Sequence, residues 1–172
     1  MTKIGLLGDL HGVAAPVAEA LALFSARQVD EVWCTGDLAG YGDELEAVIT
    51  LLRTDGCRVI MGNHDLWYLE RPAAEQDSGC ATYLADLPLT WKAEFEGRRL
   101  YMVHASPPHS LMEGIRLLDE SGRILVEQRQ VWGQRLADFE PEVLIVGHTH
   151  QLFSEPVGAT LVVNPGSTLF NH

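Results

Sequence analysis

The hydrophobic and polar positions in the first third of the chain follow the order strand, helix, strand, helix, strand. Short apolar runs predict three buried strands, at residues 3–7, 31–35 and 58–61. Residues 14–27 and 43–54 carry apolar side chains at helical spacing and predict two helices, the second with Asp43 as its N-cap. Because strand–helix–strand units cross over in the right-handed sense, this opening predicts a mostly parallel sheet.

The rest of the chain predicts further helices and a second group of strands. The helices are expected near residues 66–70, 78–85 and 124–137, and the strands at 91–95, 99–103, 143–146, 153–155 and 160–163. The 172 residues are enough for one domain with a substantial core. Since no linker or internal repeat divides them, we expect a single domain over residues 1–172.

Polar clusters follow five of the predicted strands. They contain Asp9 and His11, Asp37, Asn63 and His64, His104, and His148 and His150. Ligands of such sheets bind beyond the carboxyl ends of the strands, which is where these clusters fall. Five of the chain's 7 histidines lie in them, and packing alone does not explain that distribution.

The local conformation of two clusters is predicted from strand geometry. In extended backbone, Asp9 and His11 would point to one side and Leu10 to the other, because successive side chains of a strand alternate. The same alternation is expected for residues 148–150 if they are extended. We therefore expect each pair of polar side chains to face the site together.

The chemistry of these clusters is that of a metal site with oxygen and nitrogen ligands. Carboxylates, an amide and imidazoles suit Mn, Fe, Zn, Co or Ni rather than a thiolate site. Eight candidate groups exceed the needs of one ion, so two metals are the economical interpretation. Cys34, Cys57 and Cys80 form no C-x-x-C pair, and we predict free thiols in a reducing compartment.

Charge and hydropathy restrict the partners. The formal net charge of -12 argues against binding long nucleic acid, which needs basic surface for phosphate contacts. No apolar run approaches the roughly 18 residues of a membrane helix, and the N-terminal apolar run is too short for a signal peptide. The chain is therefore expected in the cytoplasm. Two divalent ions would still make the site locally positive for a small anionic ester.

The five clusters match, in order, the motifs of the calcineurin-like metallophosphoesterases, and the resemblance extends from Lys3 to about Ser167. It implies an α/β fold, a four-layer αββα sandwich with two mixed β-sheets and the metals between the strand ends. Residues 36–42, Gly-Asp-Leu-Ala-Gly-Tyr-Gly, resemble the small bacterial and archaeal phosphodiesterase-like branch. That branch continues past residues 164–167 with further strands, so this resemblance leaves the last sheet edge and the oligomeric state open.

The resemblance also implies a role for each residue. The first metal would be bound by Asp9, His11, Asp37 and His150, and the second by Asp37, Asn63, His104 and His148. The ions would be manganese, with Fe, Zn, Ni or Co as alternatives. A metal-bridging hydroxide would hydrolyse phosphodiester bonds while His64 protonates the leaving oxygen as general acid. Asp65 would either orient an imidazole or be a plain loop carboxylate.

Two alternatives to a phosphodiesterase stay open. Arginines that help related phosphatases bind a dianionic monoester are absent from the first loop, which favours diesters. A phosphomonoesterase acting on nucleotides or small phosphates is the first alternative. The second is a non-catalytic scaffold on the same fold, of the kind seen in a retromer subunit that resembles these enzymes and lacks the acid histidine. This chain retains His64 and every predicted ligand.

Overall fold

The computed structural model describes residues 2–169, which form two sheets flanked by helices. The strands are β1 (Ile4–Leu7), β2 (Glu31–Cys34), β3 (Arg58–Val59), β4 (Thr90–Phe95), β5 (Arg98–Val103), β6 (Val143–Ile145), β7 (Leu152–Val157) and β8 (Thr160–Pro165). The helices are α1 (Ala14–Ala26), α2 (Leu45–Thr54), α3 (Asn63–Leu69), α4 (Ser78–Ala85) and α5 (Val126–Arg135), with a short 3₁₀ turn at Ala73–Glu75.

The two sheets differ in how their strands pair. The first has the order β1-β2-β3 and is parallel throughout, as the opening pattern predicts. The second has the order β4-β5-β6-β8-β7, with parallel pairs in the middle and antiparallel pairs at both edges. The expectation of two mixed sheets therefore holds for the second sheet, while the described strands of the first are joined by helical crossovers and pair in parallel only.

Three apolar clusters show the layering. Val17, Val48 and Leu84 of the helices pack with β1–β3 on one outer face. Trp33 and Met102 lie in the cluster between the two sheets. The far face of the second sheet is covered by α5 and its preceding loop, whose side chains pack against β5–β8. Alternation along each strand sends successive side chains to opposite faces, and the predicted α/β sandwich with helices outside two sheets is confirmed.

Two helix starts differ from the predictions. Helix α2 begins at Leu45 after Glu44, so the prediction that Asp43 is its N-cap is wrong. The Glu44 carboxylate instead accepts a hydrogen bond from the backbone N–H of Ala14 at 3.0 Å, which joins the start of α2 to the start of α1. Helix α3 begins at Asn63, several residues before the predicted start, because Gly62 supplies the extended residue that precedes it.

Over residues 2–169, no helix combines the length and the apolar character needed to cross a membrane. Of the two histidines that belong to none of the five clusters, His172 lies outside the described residues.

Candidate metal centre

The predicted site residues meet where the strands of both sheets end. Their loops are not extended: Asp9, His11, Asp37, His148 and His150 have φ between 50° and 65°. The extended backbone assumed for residues 9–11 is therefore absent, and the condition set for residues 148–150 is not met. Each pair of polar side chains nevertheless faces the site together. Left-handed backbone turns each loop sharply back over the strand end, and Asp and His adopt it more readily than most residues. Such conformations persist where the surrounding structure enforces them, and they concentrate at functional sites.

One group of side chains comprises Asp9, His11 and His150. The Nε2 atoms of the two histidines are 3.0 Å apart, and Nε2 of His150 lies 3.5 Å from Oδ1 of Asp9. Nδ1 of His11 lies 3.3 Å from the carbonyl oxygen of Ala39. If Nδ1–H donates a hydrogen bond to that oxygen, Nε2 is unprotonated and its lone pair faces the site. The backbone N–H of His148 donates to the Asp9 carboxylate at 3.1 Å, which fixes that carboxylate.

A second group surrounds Asp37 and Asn63. Nδ1 of His104 lies 2.8 Å from the carbonyl oxygen of Thr35, which directs Nε2 toward the site. Nε2 of His104 is 2.9 Å from Oδ1 of Asn63 and 3.5 Å from Oδ1 of Asp37. Oδ1 of Asn63 also lies 2.8 Å from Nδ1 of His148. A single amide oxygen therefore faces two imidazoles, as a neutral ligand between two others would.

The structure thus brings together all the residues that the motifs single out. Three sets of residues each bring one ligand atom per residue to within 4.8 Å of the others in the same set. They are Asp9, His11 and His150; Asp9, Asp37 and His104; and His11, Asp37 and His64. The first set corresponds to the predicted first metal without Asp37. His64 belongs to the third set, so proximity by itself does not separate a proton donor from a ligand. The division into two ligand sets and one acid stays a prediction.

The electrostatics of the cluster fit divalent cations. The side chains of Asp9, Asp37 and Asp65 are almost entirely buried. Burial and then the charges of Asp65 and Asp9 raise the pKa of Asp37 to about 9. Burial lowers the pKa of His11 and of His104 to about 4, so both imidazoles are in the neutral, metal-binding form at pH 7. Crowded carboxylates beside neutral imidazoles are the donor set that a divalent cation would stabilise.

Asp65 has a structural function that the sequence does not indicate. Its carboxylate accepts hydrogen bonds of 2.9 Å from the backbone N–H groups of Asp37, Ala39 and Gly62. Among the described contacts, Asp65 therefore neither orients an imidazole nor acts as a plain loop carboxylate. It fastens the loop after β2 to the turn before α3, and so fixes the backbone of Asp37.

Gly62 is required by the same close approach. A Cβ built on it would lie 2.1 Å from Oδ1 of Asp37 and 2.3 Å from its backbone nitrogen. Its φ of -103° is ordinary, so the need for glycine at this position is a matter of space rather than of backbone conformation.

His64 lies at the rim of the cluster. Its backbone N–H donates to Oδ1 of Asp37 at 2.8 Å, and its ring is half-buried. The ring centroid is 4.7 Å from that of Trp67, 5.1 Å from that of Tyr41 and 4.7 Å from that of His11. Burial lowers the pKa of His64. The two aromatic neighbours were missed by sequence reasoning, although Trp67 would have been found once α3 was started at Asn63, three residues before Leu66.

Two arginines also act on the site and were missed. The charge of Arg71 contributes to the lowered pKa of His64, and that of Arg116 to the lowered pKa of His148, although burial is the largest cause in both cases. Both arginines are exposed. The first loop carries no arginine, but these two guanidinium groups from other parts of the chain add to the lowering of the pKa of His64 and of His148.

A two-sheet sandwich that gathers oxygen and nitrogen ligands where its strands end is the architecture of a metal-dependent phosphoesterase. Residues 2–171 match the calcineurin-like phosphoesterase superfamily domain, and the chain belongs to that superfamily.

The relatives extend beyond the length of this chain. An uncharacterized protein of Methanocaldococcus jannaschii is 20% identical over 187 residues, covering 96% of this chain and 69% of that protein. The symmetrical bis(5′-nucleosyl)-tetraphosphatase of Edwardsiella ictaluri is 36% identical over 67 residues, covering 37% of this chain and 24% of that protein. A metallophosphoesterase structure from Sphaerobacter thermophilus superposes with a TM-score of 0.71 at 20% identity, covering 97% of this chain and 77% of that chain. The structural likeness shows the fold alone.

Proposed function

We propose that the protein hydrolyses phosphodiester bonds with two divalent metal ions, manganese by preference, and with His64 as proton donor. The observation that carries this proposal is the placement of His64. It lies at the half-buried rim of a cluster of buried carboxylates and neutral imidazoles, and its backbone N–H is hydrogen-bonded to Asp37. A proton donor at that place would face the leaving oxygen of an ester bound over the cluster.

In this proposal the chain positions the ions and the proton. Asp9, His11, Asp37 and His150 would hold one ion, and Asp37, Asn63, His104 and His148 the other. The chemistry such ions supply is to neutralise the phosphate and to activate a water molecule as the nucleophile. Water would form the new P–O bond, the P–O bond to the alcohol would break, and the leaving oxygen would take its proton from His64. The anionic ester would partly offset the charge of the ions near His64, so its binding would favour the protonated imidazole relative to the ester-free site.

The proposal is tested by comparing bis(p-nitrophenyl) phosphate with p-nitrophenyl phosphate in protein prepared with Mn²⁺. We expect a higher kcat/KM for the diester, and metal analysis should give two ions per chain. Asp37→Asn should abolish turnover because it removes the carboxylate shared by both ligand sets. Asp55→Asn, the same change at the exposed C-cap of α2, should behave as wild type. One ion or none per chain in active protein would overturn the two-metal part of the proposal.

A phosphomonoesterase is the second candidate, and Arg71 and Arg116 favour it. Guanidinium groups recognise the extra charge of a dianionic monoester, and these two act on His64 and His148. The relative from Edwardsiella ictaluri is named for a bis(5′-nucleosyl) tetraphosphate, whose phosphate chain carries a nucleoside at each end. That name supports a substituted phosphate as substrate rather than a monoester. A kcat/KM higher for the monoester, lost in Arg116→Ala, would decide for the monoesterase.

A non-catalytic scaffold is the remaining candidate. It would need neither His64 nor its neutral imidazole partners, yet the structure holds them together with buried carboxylates. Protein that binds metal but hydrolyses neither nitrophenyl ester would favour it.

We also propose that residues 1–172 form one domain, since Trp33 and Met102 belong to a single cluster that joins the two sheets. One cooperative unfolding transition, followed by two probes, would support this. The cytoplasmic location stays a proposal from the sequence, which cell fractionation tests, and size-exclusion chromatography decides whether the chain is a homo-oligomer.

A further inference from the structure

We infer that Tyr41 and Trp67, which together we call the aromatic rim, form a binding site for a planar aromatic group on the leaving side of the ester. The common biological group of that kind is the nucleobase of a nucleoside. This inference rests on the proposed function, because it names the class of alcohol that the same site would release.

The first step is the position of the aromatic rim. Tyr41 comes from the loop after β2 and Trp67 from α3, so two separate elements bring their rings to one place. The ring centroids of Tyr41 and Trp67 lie 5.1 Å and 4.7 Å from that of His64. Tyr41 is also 4.6 Å from His11, centroid to centroid. The aromatic rim therefore borders both the proposed proton donor and the proposed metal ligands.

The second step is the exposure of these rings. Tyr41 is 64% exposed and Trp67 43% exposed, so a large part of each ring is accessible to a ligand. Each keeps much of its surface in solvent although it touches His64. Exposed large apolar side chains gathered beside polar catalytic groups are typical of ligand sites.

The third step is the direction of the leaving group. A general acid must lie within hydrogen-bond distance of the oxygen that it protonates. The carbon skeleton attached to that oxygen must therefore leave the site next to His64, where the neighbouring surfaces are the rings of Tyr41 and Trp67. A leaving group with an aromatic ring within a few bonds of the oxygen would stack there, whereas a methyl group would not reach them.

The fourth step is the chemistry of the contact. Bases stack on protein aromatics with little dependence on sequence, since every base has a π-face. A nucleobase is uncharged, so the net charge of -12 does not repel it as it would repel a long nucleic acid. Stacking on one ring typically changes affinity by roughly five- to hundredfold. The aromatic rim would then select nucleosides among alcohols while the cluster handles the phosphate.

The simpler explanation is that the two rings only hold the imidazole of His64 in place. That explanation predicts the same effect on every substrate, because a misplaced proton donor fails all alkyl alcohols alike. The stacking site instead predicts that loss of a ring lowers turnover more when the leaving group carries a base than when it does not. The two explanations therefore differ in a ratio of substrates and not in overall activity.

The test uses two diesters that differ in the base alone. One is adenosine 5′-(methyl phosphate), and the other is the same methyl diester of the abasic sugar. We expect a kcat/KM at least about fivefold higher for the adenosine compound. The products should be adenosine and methyl phosphate rather than methanol and the nucleotide, because the base draws the nucleoside oxygen to His64.

The variants separate stacking from packing. Trp67→Ala and Tyr41→Ala should each lower kcat/KM for the adenosine diester severalfold more than for the abasic diester, and should shift the products of the adenosine diester toward methanol. Trp67→Phe and Tyr41→Phe keep a ring and should restore most of the preference. Leu23→Ala, which removes an exposed apolar side chain (53% exposed) from α1, should leave the preference unchanged. Equal losses on both diesters, or no preference for the base in the wild type, would overturn the aromatic site.

A binding measurement distinguishes failure of this inference from failure of the proposed function. Adenosine 5′-(methyl phosphate) should quench the fluorescence of Trp67 in protein supplied with Mn²⁺, the abasic diester should not, and Trp67→Phe should lose the signal. Base-dependent quenching without hydrolysis of any diester would retain the aromatic site and refute the proposed function. Hydrolysis of diesters without base-dependent quenching or preference would do the reverse.

Discussion

At the scale of the residue, one buried carboxylate controls the geometry of another. Asp65 makes no contact that identifies it as a ligand among the described residues, yet its hydrogen bonds hold the backbone N–H groups of Asp37, Ala39 and Gly62. Burial raises the pKa of Asp65 to about 6 in spite of these bonds. The protein therefore keeps a costly buried acid to place the carboxylate that both proposed ligand sets share.

Replacing Asp65 should reduce stability and metal affinity together. Asp65→Ala leaves three buried N–H groups without their acceptor, at about 1–3 kcal/mol for each group. We expect a loss of several kcal/mol in the free energy of unfolding, measured with urea, and weaker Mn²⁺ binding by calorimetry. Asp65→Asn keeps one acceptor oxygen and should fall between Ala and wild type. Asp55→Ala serves as the exposed control. Normal metal affinity in folded Asp65→Ala would show that Asp65 does not position Asp37.

His64 is the residue whose role depends on the leaving group. A proton donor contributes typically ~10²–10⁴ in rate when the alcohol leaves poorly, and little when an acidic nitrophenol leaves as an anion. His64→Ala should keep both metals and lose most activity on alkyl or nucleoside diesters, with a smaller loss on nitrophenyl diesters. Rates across leaving groups of rising pKa, with metal content measured in parallel, check this. Equal losses at every pKa, with chemistry rate-limiting, would exclude the general-acid role.

At the scale of the element, the start of α3 decides the site. Because the helix begins at Asn63, that residue, His64 and Asp65 occupy its first turn and point in three directions: toward His104, toward the rim and toward the loop after β2. Gly62 lets this turn approach Asp37. The proposed amide ligand, the proposed proton donor and the carboxylate that supports the loop after β2 thus come from consecutive residues.

Gly62→Ala tests this packing without backbone strain. The added methyl would lie 2.1 Å from Oδ1 of Asp37, so either Asp37 or the first turn of α3 must move. We expect metal affinity and activity to fall at least tenfold while the protein stays folded. Gly133→Ala, in α5 with only an ordinary 3.6 Å contact, should stabilise by about 0.5–1 kcal/mol through helix propensity. Thermal unfolding and Mn²⁺ titration of both variants make the comparison. Unaltered Mn²⁺ affinity in Gly62→Ala would show that a methyl group at position 62 does not displace Asp37.

At the scale of the whole molecule, the candidate site lies where both sheets end, so we expect metal binding to be coupled to folding. Without a cation the fold has to bury Asp9, Asp37 and Asp65 near one another. The carboxyl of Asp37 consequently retains its proton up to about pH 9. The unfolded chain releases that proton above its ordinary pKa of 3.8, so the contribution of Asp37 to the stability of metal-free protein should fall as the pH rises from about 4 to 9. The lowered pKa values of His11 and His104 act in the opposite direction below about pH 6.5, so we expect the fall in stability to be seen between about pH 7 and 9.

Removal of the metal should therefore lower the stability of the wild type, whereas Asp37→Asn should not lower the stability of the metal-free protein. Mn²⁺ at 100 times its Kd should stabilise the wild type by ~2.7 kcal/mol for each ion bound, or about 5–10 °C in Tm per ion for a chain of this size. Metal-free Asp37→Asn should be as stable as metal-free wild type or more so, with a flatter pH dependence and little response to Mn²⁺. Calorimetric scans at several pH values, with and without chelator, measure this. If Mn²⁺ leaves the Tm of the wild type unchanged, metal binding is not coupled to folding.

The sequence by itself determined the order of elements and which residues are candidates for the site. Apolar periodicity is a local property, and it located strands β1, β2 and β5 and helix α4 to within a residue or two. The clusters at the strand ends were visible for the same reason, since a strand and the polar residues after it are neighbours in the chain. Their convergence followed from parallel pairing.

Only the tertiary structure decided how those residues meet. The hydrogen bond from Asp37 to Asp65 spans 28 positions, and that from His148 to Asp9 spans 139. The left-handed backbone at Asp9 and His148 is enforced by such contacts and not by the local sequence. The closeness of Tyr41 to His64 likewise depends on where the loop after β2 meets α3. Contacts between distant segments are set by the pairing and packing of whole elements, which local periodicity does not encode.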